Sequence, residues 1–197
     1  MIDVNKITFL YSCPHLSQMK DFGDEVAFFG RSNVGKSSLI NSITKKQIAK
    51  TSKTPGRTKH AVVYELILKK DNFEKKIFLV DLPGFGFALM SKEQAKEIEK
   101  LVFSYLEFRP NLKVIFLLID TRRTPNEMEF KLIDICKQRN IKVFVVLTKY
   151  DKLPKSKLKP AVKAFTELTK IDKEDILIHS TYFEESSEII REKIINC

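Results

Sequence analysis

The sequence predicts an α/β fold, a mixed, mostly parallel sheet of six strands with helices on both faces. Three observations carry that prediction. Short apolar, β-branched runs alternate with longer amphipathic stretches. Two consecutive runs, VVYELIL and KKIFLVD, have only KKDNFE between them, which places one antiparallel hairpin in an otherwise parallel order. Finally, GRSNVGKSSLIN, residues 30 to 41, sets a glycine-rich turn between a strand and a helix.

The first predicted strand is EVAFF, followed by the helix KSSLINSIT. Lys45 to Lys59, with Pro55-Gly56, is polar and without periodicity, so a long loop is expected there. Asp71-Asn72 turns the hairpin. SKEQAKEIEKLVFSYLEF reads as a helix opened by a capping box, Ser91 with Gln94. KVIFLLID is a strand, and PNEMEFKLIDICKQR is a helix with Thr124 as cap, Pro125 at the first position and Glu127 as the acidic third residue. The strand KVFVVLTK, the helix LKPAVKAFTELTK, the strand ILIHS and a last helix at SSEIIREKII complete the order.

At 197 residues the chain suits one domain, 1–197, with one sizeable core. No run approaches the roughly 18 apolar residues of a membrane span. The N-terminus MIDVNKITFLYSC lacks a basic leader, and Cys13, Cys136 and Cys197 lie far apart in an odd total, so a soluble protein of the reducing cytoplasm is expected. The net charge of +10 is uneven: Arg31 to Tyr64 holds eight Lys or Arg and no acid, and Lys152 to Ala164 holds five lysines and no acid. Such clusters favour a polyanionic partner over plain solvated faces.

Gly30 to Ser37 matches G-x-x-x-x-G-K-[ST] in the strand-to-helix setting that makes it a phosphate loop. Converging backbone N–H groups would hold a β-phosphate, Lys36 would bridge β- and γ-oxygens, and the Ser37 hydroxyl would take a Mg²⁺ position. Asp81-Leu82-Pro83-Gly84 ends an apolar strand, placing Asp81 in the Mg²⁺ shell and the Gly84 N–H at the γ-phosphate. Thr148-Lys149-Tyr150-Asp151 ends another. The Asp151 carboxylate can accept from guanine N1–H and N2–H₂, a donor pair that adenine lacks, while Lys149 lays its stem along the base.

GRSNVGKSSLIN, KTPGRT, DLPGFGFA and TKYDK together resemble the EngB family of bacterial GTPases, from about residue 5 to the C-terminus. The resemblance implies the P-loop GTPase fold and a nucleotide-binding set of Gly30, Arg31, Ser32, Asn33, Val34, Gly35, Lys36, Ser37 and Ser38 in the loop. It adds Gly56, Arg57 and Thr58, then Asp81 and Gly84, then Thr148, Lys149 and Asp151. Thr58 becomes the switch I threonine that closes on Mg²⁺ beside Ser37 and Asp81, and Lys36, Thr58 and Gly84 become the groups acting on the γ-phosphate. The base loop is expected at His179, Ser180 and Thr181, where Ile-His-Ser-Thr replaces the usual Ser-Ala or Ser-Ser and leaves the register open by one residue. Phe85 stands where signalling GTPases place a water-orienting glutamine, so slow intrinsic turnover is expected. An asparagine placed as Asn33 holds K⁺ in related GTPases; the other reading ties it to neighbouring backbone.

The implied function is a GTP/GDP switch in assembly of the large ribosomal subunit, needed for normal growth and division, acting as a cytoplasmic monomer away from membranes. The alternative is a regulatory GTPase that works through a protein effector and meets RNA only nonspecifically.

Overall fold

The computed structural model describes residues 1–50, 60–86 and 91–197. Its strands are β1 (Asp3–Cys13), β2 (Glu25–Gly30), β3 (Ala61–Lys70), β4 (Phe73–Asp81), β5 (Leu112–Asp120), β6 (Lys142–Thr148) and β7 (Ile176–His179). The helices are α1 (Lys36–Thr44), α2 (Lys92–Phe108), α3 (Glu127–Gln138), α4 (Lys155–Thr169) and α5 (Glu184–Ile195). The strands form one sheet in the order β1-β3-β4-β2-β5-β6-β7. β1, β3 and β4 pair antiparallel, and all other neighbours are parallel. The loop expected from Lys45 to Lys59 lies mostly outside the described residues.

The sheet has seven strands, not six, because β1 adds an outer edge to β3. Its register shifts twice, between Val4 and Lys6 and between Phe9 and Tyr11. Each bulge moves the following side chains to the other face, which destroys the alternation by which a half-buried strand is recognised. Ile7 therefore packs on one side of the sheet and Cys13, six residues on, packs on the other.

The central strands are buried on both faces, which explains their uninterrupted apolar runs. Ala27, Phe29, Ile115, Leu117, Val145 and Leu147 face α2, α3 and α4. Val26, Phe28, Val114, Phe116, Phe144 and Val146 face α1 and α5. On that second side Phe28, Phe116 and Phe144 stack across three neighbouring strands, with ring centroids 5.2 and 5.3 Å apart. Among the described residues no helix is long and apolar enough to cross a membrane.

The hairpin turns at Asp71-Asn72, with Asp71 at φ 53°. Ser91 caps α2 by accepting from the Gln94 N–H. α3 starts two residues later than expected: its cap is Asn126, whose side chain accepts from the Glu129 N–H while the Glu129 carboxylate accepts from the Asn126 N–H at 2.7 Å. That reciprocal pair satisfies two orphan donors and leaves Thr124 and Pro125 outside the helix.

A buried ion pair, absent from the sequence reading, ties α2 to the foot of β2. Arg109 donates from Nε to both Glu25 oxygens at 2.9 and 3.0 Å, and the Tyr105 hydroxyl donates to Glu25 at 2.8 Å. Arg109 also donates to the Met19 carbonyl, closing the β1–β2 connection over the end of the sheet. Removing one partner strands the other charge, so Arg109→Ala is expected to cost roughly 3–5 kcal/mol of stability. Urea unfolding without nucleotide measures it; an unchanged midpoint would show the pair to be dispensable.

Candidate functional site

The sheet brings the C-terminal ends of β2, β4, β5, β6 and β7 to one rim, and the predicted site residues that are described all lie there. The turn from β2 to α1 is compact. A Cβ on Gly30 would lie 2.5 Å from the Leu118 carbonyl oxygen, so only glycine fits beside β5. Gly35 caps α1 at φ 117°, in the left-handed region that favours glycine. The Ser32 N–H is spent on the Phe85 carbonyl and the Val34 N–H on that of Arg31. The N–H groups of Asn33, Gly35, Lys36, Ser37 and Ser38 have no protein acceptor among the described residues. Unpaired donors converging at a helix N-terminus make an anion cradle.

Lys36 reaches across this cradle. Its Nζ donates to the Gly30 carbonyl at 3.5 Å, and a Cβ on Gly84 would lie 2.9 Å from it, so the strand-end glycine sits directly against the ammonium. Asp81, 4% exposed, leaves Oδ1 buried without a hydrogen-bond partner. Burial pushes its pKa up to about 6, with Lys36 opposing; burial likewise lowers the Lys36 pKa, with Asp81 opposing. An orphaned carboxylate oxygen beside a phosphate cradle is a suitable hard donor for a divalent cation. Ser37 shares that rim, whereas Gly56, Arg57 and Thr58 lie outside the described residues.

The β6 end of the rim is bound to the phosphate loop by side chains. The Thr148 hydroxyl donates to the Val34 carbonyl at 2.8 Å, and Lys149 Nζ donates to the Asn33 carbonyl at 2.8 Å, so the Lys149 stem spans from β6 to the loop. Lys149 also lies 3.4 Å from Asp120 at the end of β5. Hydrogen bonds from Arg122 hold the Asp120 carboxyl well below the usual carboxylate range. Asp120 was not singled out from sequence, although it ends its strand as Asp81 does. Asp151 is exposed on the short turn after Lys149. The Asn33 side chain is exposed and makes no hydrogen bond among the described residues; its φ of 61° turns the loop.

At the end of β7 the His179 ring turns inward to the Ser187 hydroxyl at 3.2 Å, and burial takes its pKa down to about 4, so it is neutral at pH 7. The Ser180 N–H points at the Ser186 hydroxyl oxygen, 3.4 Å away, and that hydroxyl's one proton is shared between the Phe183 and Ser180 carbonyls. The exposed Thr181 has no acceptor for its N–H among the described residues, which makes it an available backbone donor just beyond β7.

A family model described as "50S ribosome-binding GTPase" matches residues 25–149. A probable GTP-binding protein EngB of Thermoanaerobacter pseudethanolicus is 40% identical over 162 residues, covering 82% of this chain and 81% of that protein. The chain belongs to the EngB family. The EngB relative from Myxococcus xanthus is 38% identical, covering 82% of this chain and 79% of its own. A crystal structure of a probable GTP-binding protein EngB superposes with a TM-score of 0.63 over 87% of this chain and 97% of that one, at 21% identity. Aquifex aeolicus Era bound to GDP·AlF4⁻ superposes at 0.65 and 24% identity, over 85% of this chain and 55% of that one. The fold is that of the P-loop GTPases.

This EngB family member is thus a GTP-binding protein and a GTPase. Its Phe85 is 5% exposed and stacks on Phe29 at 5.1 Å, so the residue after Asp-Leu-Pro-Gly is committed to the core beneath the loop. Two contacts that sequence reasoning missed, Thr148 to Val34 and Ser186 to Ser180, join residues far apart in sequence or lie in a helix whose serines carried no motif.

Proposed function

We propose that this protein is a slow GTPase switch that acts on the large ribosomal subunit during its assembly. The observation that carries the switch is the packing of Gly84 and Phe85 against the phosphate loop, through Lys36 and the Ser32 N–H. A γ-phosphate must enter between Lys36 and Gly84, so its arrival and loss bear directly on the segment that follows. Ser37 and Asp81, with Thr58 from switch I, would hold Mg²⁺, which would supply neutralisation of the phosphate charge. Asp151 and the Thr181 N–H read guanine. Turnover is slow because a core-bound phenyl ring cannot orient water. The family model's description and the +10 charge support the ribosomal partner. In this reading the protein is one domain over 1–197, works as a cytoplasmic monomer, and is needed for normal growth and division.

The test is cosedimentation with isolated large subunits in GTP analogue and in GDP. Nucleotide-dependent association is expected, weakening steeply with salt as lysines displace counterions. Neutralising Lys45, Lys46, Lys50 and Lys53 together should flatten the salt slope. An unchanged slope would move the RNA-facing surface to Lys152–Lys163, and no association in either state would leave the protein-effector reading.

Asn33 extends the same proposal. With its side chain unbonded among the described residues, its carbonyl oxygen is available to a K⁺ beside the phosphates. GTP turnover is expected to rise on the order of tenfold in potassium over sodium, and Asn33→Ala should abolish the difference. Equal rates in both salts would rule the ion out.

A further inference from the structure

Beyond the residues that touch nucleotide, the rim carries an aromatic contact that none of the motifs requires. Tyr150, between Lys149 and Asp151, stacks on Phe183, two residues past Thr181, with ring centroids 5.8 Å apart and planes 26° from parallel. We propose that this pair is a clasp that fixes the spacing of the two base-reading segments and so sets guanine discrimination and nucleotide residence time. The inference rests on Asp151 and Thr181 reading the base.

The sheet itself does not fix that spacing. The β6–β7 ladder ends at Thr148 and His179, and Asp151 and Thr181 both lie beyond its last pair. Each ring instead sits on a locally closed turn. The Lys152 N–H donates to the Lys149 carbonyl and the Leu153 N–H to that of Tyr150, at 3.0 and 2.9 Å. Opposite, the Phe183 N–H donates to the Ser180 carbonyl at 3.1 Å, and the Ser186 hydroxyl donates to the Phe183 carbonyl at 2.7 Å. A ring on either side therefore moves with its turn, and the stack transmits position from one turn to the other.

The base sees both sides at once. Guanine must offer O6 to the Thr181 N–H while its N1–H and N2–H₂ reach Asp151, and such bonds hold only over about 2.7–3.2 Å. A drift of either turn by part of an ångström loses one set of bonds. Phe183 is 49% exposed, so the stack adds little to the core, and its removal should be felt mainly in ligand binding.

The test measures release of a fluorescent GDP, the GDP-to-IDP affinity ratio and the nucleotide-free melting temperature. The variants are Tyr150→Ala, Phe183→Ala, their double, Tyr150→Phe and Phe183→Leu, which keeps bulk without a ring. Each Ala variant and Phe183→Leu should speed release by roughly 3- to 10-fold and reduce preference for GDP over IDP. The double variant should release no faster than the faster single, as expected when two residues act through one contact. Tyr150→Phe should match wild type. Release rates equal to wild type, effects that multiply in the double variant, or a lowered melting temperature with unchanged base preference would each overturn the clasp. A parallel Asp151→Ala arm identifies its parent: if that variant keeps full preference for GDP over IDP, the base-reading assignment fails, and the clasp with it.

Discussion

Asp151→Asn is expected to turn a GTP-selective protein into one that prefers XTP. In the proposed reading the carboxylate would accept two hydrogen bonds from guanine, and charge-assisted bonds are worth about 1.5–3 kcal/mol each, so selectivity should change on the order of 100-fold or more. The amide presents a donor to xanthine O2 while its carbonyl still accepts from N1–H. Asp151 suits this test because it is exposed and makes no hydrogen bond within the fold among the described residues. Its neighbours do not: Thr148 and Lys149 also anchor the phosphate loop, and changing them would mix loss of base contacts with loss of loop geometry. Competition of GTP and XTP for the purified variant is the measurement. Undiminished preference for GTP would show that another residue reads the base.

Lys36→Ala is expected to weaken triphosphate binding on the order of 100-fold while the fold persists. The structure adds a pH dependence. With Lys36 present, the Asp81 pKa is already raised to about 6 by burial, so ionising Asp81 costs folded-state stability as pH rises from its ordinary value through 6. Without Lys36 that cost grows, because nothing offsets the buried carboxylate. At pH 5 Asp81 is largely protonated, and deleting a desolvated cation should then cost little. The nucleotide-free melting temperature of the variant should therefore match wild type at pH 5 and fall below it at pH 8. Collapse of the nucleotide-free fold at both pH values, with GTP still stabilising what remains, would make Lys36 a structural residue.

What could be read from the sequence was whatever local spacing dictates. Parallel strands buried on both faces must be unbroken apolar runs, which is why EVAFF, KVIFLLID and KVFVVLTK were legible. A phosphate cradle needs glycines and unpaired N–H groups at close positions, so Gly30 to Ser38 announces itself, and Asp81 and Asp151 stand out because an apolar run leads into Asp-Leu-Pro-Gly for the one and Thr-Lys-Tyr-Asp for the other. Tertiary structure decided which of these ends meet and what holds them there. β1 was hidden because two bulges scramble its alternation, and α3 begins at Asn126 because the Glu129 carboxylate satisfies that cap's own N–H. Contacts to Ser186 and Ser187 turned the His179 ring toward α5 and engaged Ser180, leaving the Thr181 N–H open beyond β7. The ties Arg109–Glu25, Thr148–Val34 and Tyr150–Phe183 join positions 33 to 114 residues apart. A periodicity records which face a residue shows; only the folded sheet, by setting strand order and register, records what that face meets.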